Sequence, residues 1–338
     1  MQDFSHLPCH GEVGLAVSGD EYRLSAALST APMASPQRMP YTGAMRIEPS
    51  SVFISASDGL RLHARVYGPR TAPALTVVCL PGLARTEADF AVLAGALSAD
   101  GSRRVVAMDY RGRGQSDYDR DASHYSFQTE IADVLAVIAA LDALPAVFVG
   151  TSRGGILVML LAALRPSAIA GAVLNDIGPV LDPQGLMRIK GYVGKLPQPR
   201  DYEEGAEILR RLFGAQFPKL GPADWMAAAR RTFKEQDGRL VPTYDVRLAQ
   251  TLEGFDLEQR LPPLWKEFDA LARLPLMVIR GANSDLLTPE TVAAMRARRR
   301  EMELIEVPDQ GHAPLLVEPD IIARIAEFAA RCDRAHAA

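Results

Sequence analysis

The stretch that most constrains this chain is Val147-Phe148-Val149-Gly150-Thr151-Ser152-Arg153-Gly154-Gly155-Ile156. It reads as a buried strand, a glycine-flanked serine, and then an apolar helix that stops before Pro166. A serine at so sharp a strand-to-helix turn sits in a strained conformation. Side chains two before and two after it would strike neighbouring backbone, so both positions are glycine. The hydroxyl is then pushed out at the carboxyl end of a sheet, where the next helix's first amides point. A chance G-x-S-x-G lacks these flanks and would be only a tight turn between core elements.

The rest of the chain repeats the strand-helix rhythm. Val52-Phe53-Ile54-Ser55-Ala56 and Leu60 to Tyr67 flank Ser57-Asp58-Gly59 as a hairpin. Ala74 to Leu80 and Val105 to Met108 are nearly continuous apolar runs, the mark of strands covered on both faces. A helix is predicted from about Glu87 to Ser98 and another over Phe127 to Leu141, with strands at Ala172 to Asn175, Leu276 to Arg280 and Leu304 to Val307. Helices after Pro289 and Pro319 finish the pattern. This alternation predicts an α/β fold, a mostly parallel sheet with helices on both faces and an antiparallel hairpin at one edge.

The rhythm breaks between residues 177 and 274, where no clean buried strand is visible and helix-like pieces carry both tryptophans. A helical cap inserted over a core of residues 45–176 and 275–338 is the expected organisation. Residues 1–44, rich in Ser, Pro, Gly and Ala, read as a poorly ordered extension, with Met45 as an alternative start.

Bulk properties exclude several function classes. A net charge of -4 gives no reason to expect nucleic acid as partner, and the run Arg298-Arg299-Arg300 suits the end of a helix. No apolar stretch is long enough for a membrane span, and no secretory signal is expected. Cys9, Cys79 and Cys332 are odd in number and have no metal-ligand spacing, which fits a cytoplasmic protein without a disulfide framework. The expected partner is a small-molecule substrate; oligomeric state is left open.

A serine hydroxyl needs a base, and the base needs an orienting acid. Of six histidines, His312 in Gln310-Gly311-His312-Ala313-Pro314 directly follows the last strand, on the same sheet edge as Ser152. Two aspartates follow strands at that edge. Asp285 is preferred as the acid because its loop adjoins that of His312 in chain order; Asp176, after Asn175, is the rival. For the developing oxyanion, the backbone N–H groups of Arg153 and of Leu83, in Pro81-Gly82-Leu83, are the candidates.

Together with Asp109-Tyr110-Arg111-Gly112-Arg113-Gly114-Gln115-Ser116 and Gly281 to Asp285, these pieces make residues 45–332 resemble the α/β-hydrolase superfamily. The resemblance implies an eight-stranded sheet, a cap after the sixth strand, and hydrolysis through an acyl-enzyme with no cofactor and no metal. The chain departs from it at Pro81-Gly82, where relatives often carry His-Gly. The expected activity is serine hydrolysis of a carboxylic ester, lactone or thioester. Cleavage of a diketone C–C bond by the same triad, and a non-catalytic ligand-binding protein on the same fold, are the alternatives. Trp225, Phe255 and Trp265 are candidates for the substrate pocket, each weighed against simple packing within the cap. Tyr244 and Arg247 are weaker candidates for a polar contact.

Overall fold

The apolar runs become the centre of one sheet because each is flanked by apolar side chains on both faces. In the computed structural model, which describes residues 48–253 and 261–337, β1 (Ser50–Ser55) and β2 (Arg61–Tyr67) form the opening hairpin. Then follow β3 (Thr76–Leu80), a 3-10 turn over Glu87–Phe90 running into α1 (Ala91–Ser98), β4 (Val105–Met108) and α2 (Phe127–Ala140). Next come β5 (Ala146–Thr151), α3 (Arg153–Leu164) and β6 (Ile169–Asn175). The residues expected to form a terminal extension, 1–44, lie outside those described.

The segment after β6 contains α4 (Pro183–Tyr192), α5 (Tyr202–Phe213), α6 (Pro222–Thr232), β7 (Phe233–Gln236), β8 (Arg239–Pro242), α7 (Gln250–Glu253) and α8 (Trp265–Asp269). The core resumes with β9 (Leu276–Gly281), α9 (Pro289–Arg298), β10 (Glu303–Val307) and α10 (Pro319–Ala337). The large sheet has the order β1-β2-β4-β3-β5-β6-β9-β10. Only the pairings of β2 with β1 and β4 are antiparallel. Every other pairing in it is parallel, as strands linked by crossover helices require.

Alternation along β5 shows how one strand serves two cores. Ala146 and Phe148 face a cluster completed by Val134, Ile138, Leu157 and Met295, so α2, α3 and α9 cover that face. Val147 and Val149 face the opposite cluster with Leu93, Ile325 and Phe328, from α1 and α10. Cys79 is fully buried in this second layer, and burial pushes its thiol up, so it is a core residue.

The structure differs from the sequence reading in the inserted segment. It is not strand-free: β7 and β8 pair as a hairpin around Asp237-Gly238, both at positive φ (53° and 72°). Aspartate-glycine at such a turn suits a tight two-residue connection, a signal visible in the sequence and passed over. The segment has a core of its own, with Leu209, Phe217, Trp225, Ala229, Phe233 and Leu240. Its last helix, α8, instead packs on α3, so Phe268 and the flank of Trp265 join the main core.

Candidate active site

Ser152 stands between β5 and α3 with φ 51° and ψ −115°, a left-handed region that a β-substituted residue enters only under constraint. The constraint is steric. A Cβ built on Gly154 would lie 2.1 Å from the carbonyl oxygen of Leu80, and one on Gly150 would lie 2.6 Å from Gly154 and Gly155 backbone. The backbone is also pinned: Ser152 N–H donates to Asn175 O at 3.0 Å and Gly155 N–H donates to Ser152 O at 2.9 Å. Glycine at 150 and 154 is therefore what lets the strand, the turn and β3 come together.

Ser152 Oγ lies 2.9 Å from His312 Nε2. The other ring nitrogen, Nδ1, is 2.8 Å from Asp176 Oδ2. The Asp176 carboxylate is fully buried and held from two further sides: Gly281 N–H donates to Oδ1 at 2.8 Å and Ser284 Oγ–H donates to Oδ2 at 2.5 Å. Serine, histidine and aspartate thus form one continuous line of hydrogen bonds.

This corrects the choice of Asp285. Both of its oxygens are taken by Arg188, which donates from Nε at 2.6 Å and from Nη2 at 2.8 Å. Burial works to raise the Asp285 carboxyl, but Arg188 holds it below the ordinary carboxylate range. Proximity of two loops in chain order was the wrong criterion, because β6 lies between β5 and β9 in the sheet. The residue leaving β6 is therefore beside the serine strand. Asp176 turns there at φ 55°, a conformation that Asp and Asn adopt more readily than most residues.

The segments that carry the two candidate oxyanion donors, Leu83 and Arg153, adjoin Ser152. A Cβ on Gly82 would be 3.7 Å from Ser152 Cβ, so the Pro81-Gly82-Leu83 loop passes against the serine. Among the described residues, neither the Leu83 N–H nor the Arg153 N–H at the start of α3 has an intramolecular acceptor. The loop Asp109 to Ser116 is the brace for this arrangement. Arg113 Nε donates to Leu83 O at 2.9 Å, and its Nη2 pairs with buried Glu130 at 2.8 Å with an angle outside hydrogen-bond geometry. Glu130 accepts from Arg153 Nε at 2.5 Å, and Tyr110 Oη–H donates to Pro81 O at 3.1 Å. Arg113 and Tyr110 thus fix the Pro81-Gly82-Leu83 loop through its own carbonyl groups.

Ser152 and His312 open into a cavity of ≈ 180 Å³ roofed by the inserted segment. Its wall is mostly apolar, with Ile189, Val193, Leu209, Phe213, Phe217 and Leu220. Trp225 lines it and also belongs to the insert's own core. Trp265 does not: it stacks edge-on with Phe268 at 5.9 Å and carries the Arg298 guanidinium over its ring at 4.4 Å. Phe255 lies outside the described residues. Tyr244 lines the cavity, whereas Arg247 is bound to Asp245 and to backbone carbonyls at Asp119 and Arg120. Sequence reasoning missed Arg85, Asp89, Arg231 and Thr232, which form a polar patch on the cavity wall.

Asp58, Asp119 and His124 bring ligand atoms within 4.8 Å of one another. Arg111 already supplies that cluster's cation, contacting Asp58 at 2.8 Å and Asp119 at 2.7 Å, so these residues do not suit a metal. Among the described residues, no helix is long and apolar enough to cross a membrane.

Residues 77–325 match the model of the alpha/beta hydrolase family. The chain is 36% identical over 295 residues to a 3-hydroxybutyrate-oligomer hydrolase of Cupriavidus necator, an alignment covering 84% of this chain and 99% of that protein. It is 25% identical over 250 residues to the mouse sn-1-specific diacylglycerol lipase ABHD11, covering 72% of this chain and 76% of the relative. Among solved structures, an alpha/beta hydrolase from Novosphingobium aromaticivorans superposes with a TM-score of 0.78 at 40% identity, covering 84% of this chain and 99% of that one. With the sheet order, the serine turn and these matches in agreement, the chain belongs to the alpha/beta hydrolase family and is a hydrolase.

Proposed function

We propose that the protein hydrolyses carboxylic esters through a Ser152–His312–Asp176 triad, and that its substrates are short esters of hydroxy acids. The observation that carries the reaction is the unbroken line from Ser152 Oγ through His312 to buried Asp176. Ser152 Oγ attacks the ester carbonyl while His312 Nε2 takes its proton. Asp176 accepts from Nδ1–H, fixes the tautomer and stabilises the imidazolium. The oxyanion of the tetrahedral intermediate is met by the Leu83 and Arg153 amides. His312 returns the proton to the leaving alkoxide, and a water activated by the same imidazole frees the acid from the acyl-enzyme.

The substrate class is supported by the 3-hydroxybutyrate-oligomer hydrolase relative, aligned over nearly its whole length. The small, largely apolar cavity suits short aliphatic units better than a long acyl chain. The test is hydrolysis of linear 3-hydroxybutyrate dimer and trimer beside p-nitrophenyl esters of graded length. Efficient turnover of the oligomers, lost in Ser152→Ala, is expected. Turnover of simple esters with no action on the oligomers would reject the substrate class, and undiminished turnover by Ser152→Ala would reject the triad.

A further inference from the structure

The cavity wall holds a charged group that ester hydrolysis itself does not require. Arg85 follows the oxyanion loop and donates to Asp89 from Nε at 2.7 Å and from Nη2 at 2.5 Å, and to Thr232 Oγ1 from Nη1 at 2.9 Å. Arg231, at the end of α6, makes its nearest approach to the same carboxylate through Nε at 3.3 Å. Two guanidinium groups thus share one carboxylate. The cluster carries a surplus positive charge beside apolar side chains, where an unmatched cation is costly.

Asp224, two turns earlier on α6, also lines the cavity and its charge acts on Arg231, but it is exposed to solvent and accepts from the Gly221 N–H at 2.9 Å, so its attraction is screened by water. Tyr192 and Tyr244 stand near Arg85, and burial pushes both phenols up, so they are neutral at ordinary pH. Asp89 is ionised: burial opposes this, but Arg85 and then Arg231 hold its carboxyl below the ordinary range. The three charged side chains are 33%, 27% and 25% exposed for Arg85, Asp89 and Arg231, so a ligand can reach them.

The cluster is also in the right place. A Cβ built on Gly82 would lie 3.4 Å from Arg85 Cγ and 3.7 Å from Ser152 Cβ, so the Arg85 side chain starts beside the serine and leads outward. Arg85, Asp89, Arg231 and Thr232 line the same cavity as Ser152 and His312. We infer that Arg231, held with Arg85 on Asp89, binds the free carboxylate of the substrate, so that the enzyme selects esters ending in a carboxylate near the scissile bond. In a hydroxy-acid dimer four bonds separate the ester carbonyl carbon from the terminal carboxylate carbon. Arginine's planar fork matches such a carboxylate with two parallel hydrogen bonds. Arg85, whose contacts are already filled, acts as the positioning residue.

The inference rests on the ester-hydrolase reading of this site, and its test separates the two. The probes are 3-hydroxybutyrate dimer as the free acid and as its methyl ester. Turnover is measured for the unsubstituted protein and for Arg231→Gln, which leaves the Arg85–Asp89 pair intact. Binding of both probes is measured by calorimetry on Ser152→Ala with and without Arg231→Gln. The unsubstituted enzyme should prefer the acid over the methyl ester by at least about 30-fold in kcat/KM, chiefly through KM. Arg231→Gln should collapse that ratio to within about threefold, with the same collapse in the binding ratio, while Arg231→Lys retains part of it. Ester turnover with no preference for the acid, or a preference that survives Arg231→Gln, overturns the anion site and leaves the esterase reading standing. An acid preference in binding that depends on Arg231, with no turnover of any ester, supports the anion site and overturns the esterase reading.

Discussion

Exchanging the two candidate acids gives the sharpest contrast the structure offers. Asp176→Asn keeps the size of a fully buried side chain that receives hydrogen bonds from Gly281 N–H, Ser284 Oγ–H and His312 Nδ1–H. The amide has one oxygen where the carboxylate had two. Turned towards His312, its NH2 meets the fixed Gly281 N–H; turned the other way, its NH2 meets the imidazole and favours the tautomer that cannot accept the serine proton. Either orientation leaves a buried donor without an acceptor, at a cost of roughly 1–3 kcal/mol in stability. Loss of the orienting charge costs roughly 10³–10⁴-fold in kcat, or about 4–5.5 kcal/mol of transition-state stabilisation. Asp285→Asn, by contrast, weakens the pair with Arg188, whose side chains are about a fifth exposed, together with a contact to Gln216 and a through-space attraction to His312, and leaves the Ser152–His312–Asp176 hydrogen bonds in place. Its kcat should stay within about tenfold of the unsubstituted enzyme, as the triad is untouched. The assay is steady-state hydrolysis of p-nitrophenyl butyrate, with circular dichroism and thermal melting to verify folding. A loss of 10³-fold in Asp285→Asn with near-normal rates in Asp176→Asn would refute the assignment.

Glu87, buried at the foot of the oxyanion loop, is pushed up to about 7 by desolvation and by the neighbouring Asp109 carboxylate. Its folded-state proton affinity exceeds that of the unfolded chain, so its contribution to stability falls as pH rises from the ordinary glutamate range through about 7. Glu87→Gln should therefore gain up to roughly 3 kcal/mol over the unsubstituted protein at pH 8 and lose that advantage below pH ~4.5, read from melts across that range. Trp225→Ala, in the cavity wall, should shift KM and chain-length preference. Trp265→Ala, packed on Phe268 outside the cavity, should lower stability by roughly 1–3 kcal/mol with kcat/KM essentially unchanged. The reverse pattern would place the pocket elsewhere.

What could be read from the sequence was whatever backbone geometry forces onto residue identity. Gly150 and Gly154 are required by contacts of 2.6 Å and 2.1 Å, so the serine turn announced itself. His312 followed from its place after the last strand. The acid did not, because two aspartates end strands on that edge and the choice depends on which strand neighbours β5. That neighbour is β6, and Arg188, 97 residues before Asp285, is what removes the rival. The insert's hairpin was announced by Asp237-Gly238 but hidden by the short, charged strands around it. Trp265 looked like a cap aromatic because it lies beyond β6 in the chain, yet its helix packs back on α3. The Arg85–Asp89–Arg231 cluster had no local signature: it joins side chains nearly 150 residues apart, and only the closed cavity makes its surplus charge visible.

The central claim is that Ser152 is the nucleophile, and it is tested most directly by covalent capture. The protein should react with a fluorophosphonate to give one stoichiometric adduct by intact mass, mapped by peptide sequencing to Ser152. The adduct should be absent from a folded Ser152→Ala variant and form at least about 10³-fold more slowly in His312→Ala. An adduct on another residue, or equal labelling of Ser152→Ala, would contradict the account.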